Sequence, residues 1–124
     1  MNLLEIEIVD TCGEEAMNFT RRVQYQDADC FMICVPANSS LQNALFWLAE
    51  IREVQPTKPI ALILTKSDLY TADQQDSSEE TLTMDDILNM KREHGLTLAA
   101  KTSSKAWEDL NVHSAFNRAI MAAY

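Results

Sequence analysis

The sequence predicts an α/β fold, a mainly parallel sheet of about four strands with helices on both faces. Three observations predict it. Two unbroken apolar runs, Cys30-Phe-Met-Ile-Cys-Val35 and Ile60-Ala-Leu-Ile-Leu64, have the composition of strands covered on both sides. Stretches with apolar residues at helical spacing follow them, clearest at Leu41, Ala44, Leu45, Leu48 and Ile51. The order strand then helix recurs four times, which selects parallel pairing with crossover connections. The 124 residues read as one domain, with no internal repeat and no linker.

Each element has a local reason. Leu4, Ile6 and Ile8 alternate with Glu5 and Glu7, the period of a strand with one exposed face or at a sheet edge. Asp10 to Glu15 is a loop, and Ala16 to Gln26 a short polar helix. Pro36 bounds the Cys30–Val35 strand, and Asn38, Ser39 and Ser40 offer caps to the helix beginning near Leu41. Pro56 and Pro59 close that helix. Tyr70 to Thr81 is polar, acidic and long for a connection, so a surface loop is expected. Thr83-Met-Asp-Asp86 is a loose capping box, and Gly95 is placed to end that helix in a left-handed conformation. Lys91, Arg92 and His94 sit where a helix dipole favours cations. Leu96 to Ala100 is a short last strand, and Lys101 to Glu108 a loop. Val112, Ala115, Phe116, Ala119, Ile120 and Ala123 form the stripe of a final helix.

Composition excludes several functions. Net charge is −9, from 10 basic and 19 acidic residues, which argues against nucleic acid and anionic membrane surfaces. No apolar run approaches a membrane span, and no signal-peptide pattern opens the sequence. Ile120-Met-Ala-Ala-Tyr124 carries no cysteine for prenylation, so no direct membrane anchor is expected. Three cysteines without Cys-x-x-Cys suit a reduced, cytoplasmic setting and no zinc site. Cys30 and Cys34 read as core thiols, Phe46 and Trp47 as packing or interface residues, and His113 as a solvated helix residue. No Gly-x-Ser-x-Gly or Ser/His/Asp pattern supports another kind of hydrolase.

In open parallel sheets ligands sit beyond the carboxyl ends of the strands. Three loops leave those ends: Asp10-Thr-Cys-Gly-Glu-Glu15, Thr65-Lys-Ser-Asp68, and Lys101-Thr-Ser-Ser-Lys105. By residues alone, the first is equally an acidic turn after an ordinary strand, and the second a solvated strand end. Together they resemble motifs of the Ras-superfamily small GTPases, the Rab group above all. The first is similar to Asp-Thr-Ala-Gly-Gln-Glu, the second to Asn-Lys-x-Asp, and the third to Thr-Ser-Ala-Lys. Asp27-Ala28-Asp29 stands where Rab proteins have Gly-Ala-Asp, and Asn111-Val112 with Ala115-Phe116 resembles Asn-Val-x-x-Ala-Phe. The resemblance runs from the family's third strand to its last helix, so residues 1–124 are expected to form a single truncated G domain.

The resemblance implies roles. Asp10 would hold Mg²⁺ through water, and the Gly13 N–H would sense a γ-phosphate. Glu14 takes the place of the glutamine that orients the attacking water. A carboxylate accepts hydrogen bonds but does not donate them, and it would stand beside the triphosphate as a like charge, so weak or absent hydrolysis is expected. Asp68 would accept two hydrogen bonds from a guanine edge, each contributing roughly 1.5–3 kcal/mol. Lys66 would lie along the base, and Thr65 replaces the family asparagine. In the loop that holds Ser103, the Ser104 backbone N–H would meet the guanine oxygen and Lys105 would flank the base, unless the register places Ala99-Ala100-Lys101 there instead.

The 124 residues contain two glycines, Gly13 and Gly95, and no Gly-x-x-x-x-Gly-Lys-Ser/Thr P-loop. GTP or GDP with Mg²⁺ is therefore expected to bind weakly or not at all. The leading reading is a pseudo-GTPase acting as a protein-interaction module, its uncovered sheet edge hidden by protein, most simply a second copy in a homodimer. The alternative is a working GTP-hydrolysing switch whose front is supplied elsewhere or was removed.

Overall fold

The computed structural model describes residues 3, 5–11, 13–66, 82–102 and 110–123. Three parallel strands form the sheet among them: β1 (Phe31–Pro36), β2 (Ile60–Thr65) and β3 (Leu98–Lys101), in the order β1-β2-β3. Phe31 pairs with Ile60 and Pro36 with Thr65, while Ala61 pairs with Leu98 and Leu64 with Lys101. The helices are α1 (Asn18–Tyr25, entered through a 3-10 turn at Glu15–Met17), α2 (Leu41–Val54), α3 (Met84–His94) and α4 (Leu110–Ala123).

The side-chain period of a strand divides the core in two. Phe31, Ile33 and Val35 join Ile60, Leu62 and Leu64 on one face, under Ala44, Leu48 and Ile51 of α2 and Ile87 and Met90 of α3. Ala61, Ile63 and Leu98 lie on the other face under Ala115 and Ala119 of α4. α1 packs on α2, and its Tyr25 ring meets Phe31 edge-to-face at 5.4 Å.

The signals around α3 act as expected. Thr83 Oγ1 accepts from the Asp86 N–H at 3.2 Å and Asp86 accepts from the Thr83 N–H at 2.9 Å, a complete capping box. Gly95 is left-handed, at φ 65° and ψ 38°. The N–H groups of Gly95 and Leu96 both donate to the Lys91 carbonyl. That closure takes Leu96 into the helix cap, so the last strand begins at Leu98, two residues later than its apolar run.

Two expectations are corrected. The alternating segment at residues 5–10 forms no strand; it is exposed and pairs with no neighbour. The described sheet therefore has three strands where about four were expected. An alternating sequence offers one apolar face and becomes a strand only where a neighbour accepts its hydrogen bonds. Ile6, Ile8 and Val9 consequently stay exposed. Cys34 is not a core thiol. It is exposed on the β1 face opposite Ile33 and Val35, beyond Met32, which packs against the α4 cluster.

Candidate functional site

The carboxyl ends of the three strands lie side by side, because their register is fixed by backbone hydrogen bonds. The Ala37 N–H donates to the Thr65 carbonyl at 2.9 Å, and the Thr102 N–H donates to the Leu64 carbonyl at 2.8 Å. The Leu82 N–H donates to the Ala37 carbonyl at 2.9 Å, returning the chain to this rim. The sheet thus brings Thr65 and Lys66 beside Lys101 and Thr102. Thr65 is half-buried, Lys66 exposed and Thr102 buried. Lys66 has φ 53°, a left-handed value seldom adopted by a residue with a side chain. Asp68, Ser103, Ser104 and Lys105 lie outside the described residues.

Asp10, Gly13 and Glu14 are exposed. A Cβ added at Gly13 would meet nothing within 4 Å, so the close approach a glycine permits is not used. Among the described residues no group of three or more His, Cys, Asp or Glu side chains is arranged to hold a metal ion. No hydrogen bond or ion pair among them joins Asp10 or Gly13 to Thr65 or Lys66. Lys66 and the neighbouring strand ends form a rim, and Gly13 faces open space.

The most constrained polar cluster lies beside that loop. Arg21 is 0% exposed and Glu50 5%. Arg21 Nε donates to Glu50 Oε2 at 2.9 Å, and its Nη2 to Oε1 at 2.7 Å. The Tyr25 hydroxyl donates to Glu50 Oε2 at 2.7 Å. Arg21 Nη1 donates to the backbone carbonyl of Glu14, and the guanidinium lies 4.8 Å from the centre of the Trp47 ring. The Arg21 hydrogen bond holds the Glu50 carboxyl below its usual range, Tyr25 helping, despite burial. Burial, then the Glu50 contact, pushes Tyr25 up to about 12.

Sequence reasoning gave Trp47 a packing or interface role and missed the cluster. Arg21 and Glu50 are 29 positions apart, and nothing local distinguishes them from surface charges. The available signal was negative: Arg21 and Tyr25 share one face of α1, while the opposite face carries Phe19 and Val23. Burial, then the Asp29 charge, pushes Cys30 up; Cys34 presents surface to solvent, yet the sheet around it desolvates the sulfur enough to push it up as well.

The parallel sheet with helices on both faces is the α/β fold class of small GTPases. The chain belongs to the Ras family: residues 2–124 match that family's model. It is related to Rho-type proteins. It is 36% identical over 88 residues to GTP-binding protein RHO4 of Saccharomyces cerevisiae, covering 64% of this chain and 30% of that one. It is 30% identical over 126 residues to GTP-binding protein rho3 of Schizosaccharomyces pombe, covering 99% and 57%. It is 41% identical over 69 residues to Rho-related GTP-binding protein RhoV of Homo sapiens, covering 53% and 29%. The chain thus spans between about a third and somewhat over half of the curated relatives it matches. No described helix is long and apolar enough to cross a membrane.

Proposed function

We propose that these 124 residues, taken alone, act as a protein-interaction module on a guanine-nucleotide-switch fold, deficient in GTP hydrolysis. The observation that carries this reading is the inverted polarity of α1. The helix buries Arg21 and Tyr25 and presents Phe19, 77% exposed, and Val23, 50% exposed. An outward apolar pair one helical turn apart is a surface suited to a partner protein. Glu14 supports the deficiency, since a carboxylate cannot donate to an attacking water, and the lack of a P-loop motif within these 124 residues supports weak or no nucleotide binding by them alone. Protein covering the outer edge of β1 and the Cys34 face, most simply a second copy, belongs to the same proposal.

A second reading has its own support. The relatives are named GTP-binding proteins and are longer than the matched region, which favours a working switch whose phosphate-binding front comes from an upstream segment or another polypeptide. Within the family, Asp27-Ala28-Asp29 and Asn111-Val112 favour a Rab-like subtype, whereas the Rho-type relatives favour the Rho side over longer stretches. Titration of labelled GTP and GDP against the purified chain with Mg²⁺ decides between module and switch. The module reading expects dissociation constants weaker than about 1 μM; tighter binding, or turnover of GTP, ends it.

A further inference from the structure

We propose that residues 5–9 of one copy of this chain add as a strand to the outer edge of β1 in a second copy, and the reverse, so that two copies form a closed pair. The inference deepens the module reading and rests on residues 1–124 acting as a unit in which that edge is open.

β1 is an edge strand with a short row of unpaired backbone groups. The Phe31 N–H donates to the Pro59 carbonyl at 3.0 Å and the Ala37 N–H to the Thr65 carbonyl at 2.9 Å, so the odd-numbered residues of β1 direct their backbone groups at β2. Met32, Cys34 and Pro36 therefore turn theirs outward. Pro36 has no N–H, and its carbonyl already accepts from the Ser39 N–H at 2.9 Å. That leaves the N–H and C=O groups of Met32 and Cys34, which no hydrogen bond reaches among the described residues. Sheet edges are commonly blunted by charged side chains, proline or a bulge. Here only the Pro36 end is blunted; Met32 and Cys34 carry no charge, and Cys34 is exposed.

The matching piece is in the same chain. Residues 5–9, Glu-Ile-Glu-Ile-Val, alternate with the period of a strand, yet none is paired; Ile6, Ile8 and Val9 are 49%, 71% and 52% exposed. One chain leaves both the edge and the segment without partners, so a second copy satisfies both at once, and the exchange is reciprocal. Paired through Ile6 and Ile8, the segment offers a donor and an acceptor to each of Met32 and Cys34. It also lays the two isoleucines on the Met32–Cys34 side of the sheet, while Glu5 and Glu7 face the other way. A segment of this length suits a row that Pro36 ends.

Sedimentation velocity with amide hydrogen exchange, on the purified chain under reducing conditions, tests it. The unsubstituted protein is expected to dimerise reversibly, with exchange of the Met32 and Cys34 amides slowing as the dimer fills. Ile8→Pro removes a donor from a segment that is unpaired within one chain; it should weaken dimerisation at least about 10-fold and leave the melting temperature unchanged. Cys34→Pro removes the outward N–H, leaves the β1–β2 bonds in place and should weaken the dimer likewise; Ile8→Pro keeps the test decisive if that variant does not fold. A dimer of unchanged strength in Ile8→Pro, or one in which the Met32 and Cys34 amides still exchange fast, overturns the strand exchange and leaves the homodimer itself. A monomer at every concentration overturns both. Tight nucleotide binding by a chain whose dimer still depends on Ile8 overturns the module reading alone.

Discussion

Arg21 and Glu50 face each other across α1 and α2 through two hydrogen bonds of 2.9 and 2.7 Å, in a site almost closed to water. Each charge is tolerable there only because the other is present. Removing one partner leaves an uncompensated buried charge, and removing both need cost little.

Glu50→Ala is accordingly expected to destabilise the fold by about 3–5 kcal/mol in urea denaturation. The double variant Arg21→Met with Glu50→Leu should recover most of that loss, since a well-packed apolar pair can match a buried ion pair. A double variant as unstable as Glu50→Ala would show that the pair does more than neutralise itself.

The same cluster sets the pH limits. Glu50 titrates below its ordinary value in the fold, so its contribution is complete above the ordinary carboxylate range and is lost as pH falls through the depressed folded value. Tyr25 behaves in the opposite sense. Its hydroxyl is raised from 10.0 to about 12, so its contribution is full below 10.0 and is lost as pH rises toward 12. Near-UV circular dichroism against pH should be flat between these limits. Glu50→Gln should lose the acid transition assigned to this carboxylate.

Two left-handed residues give opposite expectations. Gly95→Ala places a side chain at φ 65° and should cost about 1–2 kcal/mol in thermal or urea unfolding. Lys66→Gly removes a side chain from φ 53° and should raise stability by about 1 kcal/mol, unless the lysine makes a compensating contact at the strand-end rim. A stability loss at Lys66→Gly would indicate such a contact.

The open side of β1 carries the expectation about self-association. Sedimentation velocity from low to high micromolar concentration should show a reversible shift from monomer to dimer. Cys34→Lys, on the uncovered face, should keep the chain monomeric without lowering its melting temperature. A monomer with unchanged folding across the whole range would end the homodimer proposal.

The sequence by itself determined the α/β class, the apolar strands β1 and β2, the capping box at Thr83, the Gly95 stop and the four helices. These follow from periodicity and from cap chemistry, in which the decisive residues lie within a few positions of one another. The end of β2 at Thr65 was legible for the same reason, since an apolar run that stops at a polar turn is a local pattern. Only the tertiary structure decided that residues 5–10 stay unpaired, that Cys34 is uncovered, and that Arg21 is among the most buried side chains. A strand needs a neighbour to accept its hydrogen bonds, and a buried charge needs a counter-charge. In this chain the counter-charge is 29 residues away, beyond the reach of any local pattern.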